Sequence, residues 1–387
     1  MRIFYHARAI PTRCSVINIL CPARNNTNPN GGSFMRMEQL ETPALILDLD
    51  VAEQNMAMMQ EYMDFTGLAL RPHYKSSKCV SVAQMQIRNG AKGITCAKLS
   101  EAEDLILSGV EDVLIANQIV EPSKIARLAY LAGCCRLTVC VDRAENILQL
   151  QAAATVQDTK IHVYVEYDVS MRRCGVDTPE EFLKLAKLVE SCDNLVFDGI
   201  QAYAGHLSHE EDYEVRRAES ARVEEARVRA LKQYVEEHGL LVREVSGIST
   251  GTIEFFPKDT VYTEAQVGSY IYMDTGYHAL KLKFQSALFV LTQIVSKNEF
   301  IVTDAGTKAI SVDQHPPIFR DYPDRKVSLS EEHGRIPSEG LDIEIGDKLL
   351  MIPSHSCTTM NLYDTMYLVR GGKVVDRVRV DGRGKSL

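Results

Sequence analysis

The stretch GITCAKLSEAEDLILSGVEDVLIANQIVEPSKIARLAYLAGCCRLTVCV, residues 93–141, decides the fold. Short β-branched runs at 93–97, 112–117 and 136–141 alternate with two longer segments of helical period, SEAEDLILSG and EPSKIARLAYLAG. That rhythm is the signature of βα units on a parallel sheet. Ser100 stands where an N-cap would open the first helix, and Gly133 where a stop would close the second.

Outward from this stretch the pattern continues. Further strands are expected near 44–49, 68–74, 160–167, 196–203, 243–249 and 262–270, with helices over VAEQNMAMMQEYMD, TPEEFLKLAKLVESC and the charged run from Glu210 to His238. Eight consecutive strand–helix units from residue 67 to residue 275 predict an α/β fold, a (β/α)8 TIM-type barrel. The strand ALILDLD at 44–50 is then left over, so residues 38–66 are expected to join the barrel to a second domain. That domain, 276–387, reads as β structure: SALFVLTQIVSK, EFIVTDAG, DKLLMIPSH and TMYLVRGGKVVDRVRV are strands and turns without long helices. A doubly wound open sheet is the competing architecture, but no G-x-G-x-x-G follows the first strand.

Composition excludes several classes. Of 387 residues, 45% are hydrophobic and 25% charged, which argues against disorder and coiled coil. The 43 Lys and Arg against 52 Asp and Glu give a net charge of −9, so nucleic acid is not an expected partner. No apolar run approaches the ~20 residues of a membrane span. The 10 cysteines form no CxxC pair or regular spacing, which fits a reducing, cytoplasmic setting. Residues 1–37 stand apart, with Arg2, Arg8, Arg13, Arg24 and Arg36, no Asp or Glu, and the turn-rich NNTNPNGG. They read as a disordered extension or a start set upstream of Met35 or Met37, with an organelle transit peptide as the alternative.

Barrel enzymes place chemistry at the C-terminal ends of their strands and often bind phosphate after the seventh and eighth. RPHYKSSK, at the end of the first barrel strand, puts Lys75 where strand opens into loop. His73 and Arg71, two and four residues earlier, share its strand face by the period of two and join it as catalytic candidates. A lone lysine there is most often a solvated surface group. The seventh segment, SGISTGT, adds Ser249, Thr250, Gly251 and Thr252, and the eighth, QVGSY, adds Gly268, Ser269 and Tyr270. Backbone N–H groups in such turns, with hydroxyls beside them, suit a phosphate. A lysine facing a phosphate cradle is the arrangement that holds pyridoxal phosphate (PLP) covalently.

The motifs ETPALILDLD, RPHYKSSK, GITCAKLSEAE, RRCGV, GIQAYAGH, STGT, VGSYIYMD, TDAGTKA and PSHSCTTMNLYD together resemble the D-threonine aldolase and D-serine dehydratase family, PLP enzymes related in fold to alanine racemase. The resemblance covers the chain from about Glu41 to Ser386. It implies PLP on Lys75, with Arg172 (or Arg173) and Tyr203 near the cofactor, a small D-amino acid substrate, and a homodimer. It also implies a divalent metal, zinc or else manganese or magnesium, on His355 and Cys357 of the SHSC segment. Two ligands spaced i, i+2 in an extended segment project to one side and can chelate. The chain departs from the family at Ser77 and at Tyr203-Ala204-Gly205, where histidines are frequent. His206, His209 and His333 carry only weak claims to a site role.

Two reactions follow from the resemblance: cleavage of a D-β-hydroxy-α-amino acid to glycine and an aldehyde, or dehydration to a keto acid and ammonia. Cys357 points to dehydration, because thiolate favours zinc. The TTMNLYD continuation and the C-terminal VVDRVRVDGRGKS point to the aldolase branch, which is the first expectation. An amino-acid racemase and a non-catalytic PLP-binding protein are the remaining alternatives; the H-x-C pair counts against the first, and the β domain, for which a carrier has no use, against the second.

Overall fold

The computed structural model describes residues 35–387, so the expectations for residues 1–34 lie outside the described residues. Strand β1 (Ala44–Asp48) ends where Asp48 turns to cap α1 (Leu49–Thr66), its carboxylate accepting from Asp50 N at 3.0 Å and Val51 N at 3.3 Å. The helix therefore starts earlier than its apolar period suggests, and it stops at Gly67, whose φ of 78° is left-handed.

Eight parallel strands follow: β2 (Ala69–Leu70), β3 (Ile94–Cys96), β4 (Asp112–Ile115), β5 (Arg136–Val141), β6 (Ile161–Glu166), β7 (Leu195–Ala202), β8 (Glu244–Gly247) and β9 (Glu264–Ala265). Their order is β2-β9-β8-β7-β6-β5-β4-β3. Lys92 N donates to Leu70 O and Thr95 N to Pro72 O, each at 2.8 Å, which brings β3 back against the end of β2 and closes the barrel. The helices between, including α2 (Val80–Arg88), α3 (Leu99–Leu107), α4 (Pro122–Leu131), α5 (Ala144–Gln157) and α6 (Pro179–Glu190), lay their apolar faces on the outside of the sheet. Leu114, Cys140 and Tyr164 fill part of the interior.

Two helical details differ from expectation. Ser100 does not cap α3; Glu101 reaches back to accept from Ala97 N and Lys98 N, while Ser100 Oγ donates to the carbonyl of Leu387. The charged run is split into α7 (Tyr213–Val223), a π turn at Glu224–Arg229 and α8 (Ala230–Glu237). At that turn Glu224 is buried and accepts from Val261 N at 2.9 Å.

The spare strand β1 pairs antiparallel with β10 (Leu288–Lys297) and parallel with β16 (Thr365–Arg370). The sheet runs on through β11 (Phe300–Thr303), β14 (Gly334–Pro337) and β13 (Ser328–Leu329) at one edge and β17 (Lys373–Arg379) at the other. The strand β15 (Lys348–Ile352) also pairs with β10, and β12 (Ile318–Phe319) with β15. Two short helices, α9 (Thr275–His278) and α10 (Ser356–Met360), sit where the β domain meets the barrel mouth. No helix among the described residues is long and apolar enough to cross a membrane.

Candidate active site

A cleft of about 200 Å³ opens at the C-terminal ends of the barrel strands. The loop after β2 brings His73, Lys75 and Ser76, the loop after β7 brings Tyr203, Ser208 and His209, and the loops after β8 and β9 bring Ser249, Thr250, Gln266, Gly268 and Ser269. The β domain closes one side with Gln314, His355 and Cys357. The exposed ammonium of Lys75 lies 5.7 Å from the centroid of the Tyr203 ring, and the Arg173 guanidinium 5.8 Å from the same ring. His73 sits beside both cations, and its Nδ1 accepts from Lys75 N at 3.3 Å. Burial and then the charges of Lys75, Arg173 and Lys78 hold its pKa well below the usual histidine value, so the ring is neutral.

The phosphate loops carry a feature that asks for a ligand. Thr250 Oγ1 is buried and has no hydrogen-bond partner, although buried hydroxyls are normally satisfied. Beside it a Cβ on Gly268 would collide with Ser76 Oγ, so only glycine leaves that wall of the cleft open. A lysine, an orphaned hydroxyl, and glycine and serine backbone at two adjacent strand ends fit the aldehyde and phosphate ends of PLP.

His355 and Cys357 do face one cavity, but not from one extended segment. His355 is extended, with φ −146°, whereas Cys357 lies in the first turn of α10. Asp274 fixes that turn by accepting from Ser356 N at 2.8 Å, and Ser311 Oγ holds the His355 carbonyl at 2.9 Å. His355 Nδ1 pairs with Asp313 Oδ2 at 2.8 Å, which leaves Nε2 for another partner. Burial opposes charge on the imidazole, but its hydrogen bond to Cys357, the thiol's charge and Asp313 outweigh this and raise its pKa to about 9. The Cys357 thiol is also opposed by burial, yet His355, Lys75 and Ser76 lower its pKa, favouring the thiolate that ligates metals. Among the described residues no cluster of three or more His, Cys, Asp or Glu is arranged as a metal site. An imidazole nitrogen and a thiol sulfur facing one cavity are nonetheless a donor pair that suits a divalent metal.

Several expectations need correction. Arg71 does not reach the cleft. It is fully buried at the other end of the barrel interior, where Nε meets Glu264 at 2.9 Å and Nη1 meets Asp112 at 2.8 Å, both at the first residues of their strands. A period of two gives the face of a strand, but Arg71 lies too deep along it to reach the cleft. Arg172 also points elsewhere: at φ 56°, its N–H held by Asp168 at 3.0 Å, it lines a neighbouring crevice, and Arg173 lines the cleft instead. Tyr270 is buried against Phe284, its hydroxyl accepting from Gln86 at 3.0 Å. Gly251 packs against Ser208 O, and Thr252 bonds back to Ser249, so both shape the seventh loop from behind.

Sequence reasoning gave His209 only a weak claim and passed over Ser76, Gln266, Tyr277, Gln314 and Asp313. His209 was the accessible one, since it follows β7 at the barrel end already named as functional. Its ring lies 4.6 Å from that of Tyr277, and partial burial, opposed by Asp274 but helped by His355, His315 and Lys75, lowers its pKa.

A family model described as alanine racemase, N-terminal domain, matches residues 47–276. The chain belongs to that family. A second model, for a serine dehydratase domain, matches residues 287–369. A 3-hydroxy-D-aspartate aldolase from Paracoccus denitrificans is 38% identical over 91% of this chain and 94% of its own. A solved D-threonine aldolase from Filomicrobium marinum superposes with a TM-score of 0.88 at 35% identity, covering 92% of this chain and 99% of that one. A D-threo-3-hydroxyaspartate dehydratase from Delftia superposes with a TM-score of 0.81 at 26% identity, over 89% and 98%. A cysteine-to-alanine variant of a D-threo-3-hydroxyaspartate dehydratase, solved in a metal-free form, superposes with the same TM-score of 0.81 at 25% identity. The alanine racemase-like barrel with its C-terminal β domain is thus shared with aldolases and with a dehydratase.

Proposed function

We propose that the protein is a PLP- and divalent-metal-dependent lyase that cleaves D-β-hydroxy-α-amino acids to glycine and an aldehyde. The observation that carries the reading is one cleft holding Lys75, a neutral histidine, His209, and the His355–Cys357 pair. Higher identity to the aldolases than to the dehydratase supports the choice of reaction.

Pyridoxal phosphate, bound through Lys75, would supply the electron sink for the charge left on the substrate α-carbon when the Cα–Cβ bond breaks. Thr250 Oγ1, Ser269 and the backbone at Ser249 and Gly268 would hold its phosphate, with Arg173 and Tyr203 beside the ring. His355 Nε2 and Cys357 Sγ would hold the metal next to the substrate hydroxyl, and the carboxylate of Asp313 orients the imidazole for that purpose. His209, kept neutral, accepts the β-hydroxyl proton; an imidazolium could not. Tyr277 holds the His209 ring from one side.

Dehydration is the second reading, favoured by the lowered pKa of the Cys357 thiol and by the likeness to a D-threo-3-hydroxyaspartate dehydratase. There Lys75 takes the Cα proton and His209 is not the base. Replacing His209 by Asn separates the two: aldehyde release falls ~100-fold or more under the first reading, while ammonia release under the second stays near that of the unmodified enzyme.

A homodimer belongs to the proposal and rests on the resemblance to the family alone. A cytoplasmic setting is supported by the buried free thiols of Cys79, Cys96 and Cys140.

A further inference from the structure

The loop that carries Lys75 is not held by the barrel alone. It runs from Tyr74 to Lys78, turns back on itself with Ser77 N and Lys78 N both donating to Tyr74 O, and ends with Lys78 at φ 45°, a left-handed conformation that a lysine adopts at a cost. The helix that follows, α2, has Cys79 at its N-cap position with no side-chain cap. The missing partners come from the far end of the chain. Asp381 Oδ2 accepts from Val80 N at 2.9 Å and so caps α2 from 301 residues away. Gly382 N donates to Lys78 O at 2.8 Å, which pins the left-handed residue. Gly382 is buried here, and a Cβ on it would come within 3.1 Å of both Lys78 Cβ and Tyr74 Cε1.

The rest of the segment is fastened on both sides. Lys385 pairs with Asp104 of α3, Gly384 N donates to Asn361 Oδ1 at 3.0 Å, and Leu387 O accepts from Ser100 Oγ at 2.7 Å. The same loop also touches the proposed metal pair, since Cys357 Sγ lies 3.5 Å from Ser76 Oγ.

We propose that the C-terminal segment 381–387 is a positioning strap for the lysine loop, with Asp381 and Gly382 as the residues that set where Lys75 stands. They touch no reacting atom. They act by fixing the backbone three and five residues beyond Lys75, at Lys78 and Val80, and without them the left-handed turn at Lys78 relaxes. The role rests on the reading of Lys75 given above, but the strap itself does not depend on which reaction follows.

The test uses the full chain and three readouts well below its unfolding temperature: PLP affinity of the apoprotein by fluorescence, kcat and KM for D-threonine, and the rate at which Lys75 is acylated by a small reagent, followed by mass spectrometry. Loss of a cap typically removes ~1 kcal/mol, or about five-fold in an equilibrium constant. Asp381→Ala is expected to weaken PLP binding about five-fold, to lower kcat with KM little changed, and to alter the Lys75 acylation rate. Asp381→Asn, whose amide oxygen still accepts from Val80 N, is expected to recover most of each. If Asp381→Ala lowers only the melting temperature and leaves all three readouts as in the unmodified protein, the strap is merely structural and the proposal is overturned. Should Asp381→Ala not fold, Gly382→Ala displaces the same loop by a few tenths of an ångström, and unchanged readouts there overturn it equally. Failure of the unmodified protein to bind PLP would refute the functional reading, while the Lys75 acylation comparison would still decide the strap.

Discussion

Replacing Arg71 by Met separates the barrel's stability from its chemistry. The guanidinium is 1% exposed and carries three contacts: Glu264 at 2.9 Å and both oxygens of Asp112 at 2.8 and 3.1 Å. Burial opposes its charge, but these two carboxylates overcompensate and raise its pKa. Glu264 is itself fully buried, and Arg71 followed by Lys92 keeps its pKa low against desolvation. Breaking a buried pair by removing one partner costs about 3–5 kcal/mol, because it strands the other charge. Lys92 at 3.3 Å and the Tyr164 hydroxyl at 3.2 Å remain to Glu264, which puts the expected loss at the lower end, about 3 kcal/mol. At ~2.1 cal/mol/K per residue, a 387-residue chain unfolds with ~0.8 kcal/mol/K, so Tm falls by about 4 °C. The deficit should also shrink from pH 7 to pH 5: the stranded Glu264 has a raised folded pKa, and a group so raised regains stability as it binds its proton. The assay is thermal unfolding of the holoenzyme at both pH values, with kcat measured at 25 °C. An unchanged Tm together with a kcat loss of two orders of magnitude would refute the reasoning and make Arg71 catalytic after all.

Thr250→Val removes a buried hydroxyl that has no partner in the protein, so the apoprotein should be as stable or slightly more so, while PLP affinity drops about ten-fold for a lost bond to a charged phosphate, as read by cofactor titration. Asp313→Asn leaves His355 without the carboxylate at 2.8 Å, and competition with a chelator should show metal affinity reduced about 10- to 100-fold. His73 has a folded pKa depressed below its unfolded value of about 6.5, first by burial and then by Lys75 and Arg173. The folded state thus binds fewer protons, and this stability, present above about pH 6.5, is lost as pH falls toward the folded pKa. Denaturant midpoints from pH 8 to pH 5 should fall in the unmodified apoprotein and fall less in His73→Gln.

The barrel was legible because its signal is local. Each β-branched run and each amphipathic helix announces itself within a dozen residues, and eight repeats reinforce one another. Lys75, Ser249, Thr250, Gly268 and Ser269 were placed at strand ends by the same logic, and they line one cleft. Arg71 was misplaced because periodicity gives the face of a strand and not the depth along it. Arg172 was preferred to Arg173 because adjacent residues in a turn cannot be told apart until the φ of 56° at Arg172 is known. Asp313 and Asp381 had no local signal at all: one meets His355 across 42 residues and the other meets Val80 across 301. The SHSC segment was singled out by motif, but its geometry was misjudged, because Asp274 and not the local sequence starts the helix at Ser356.

The most direct test of the central claim is product analysis of the purified protein, supplied with PLP and with either manganese or zinc, on D-threonine and 3-hydroxy-D-aspartate side by side. The expected result is glycine in both reactions, with acetaldehyde from the first and glyoxylate from the second, and loss of both on chelation. Ammonia with 2-oxobutyrate or oxaloacetate, and no glycine, would contradict it and make Cys357 the residue that decides the reaction.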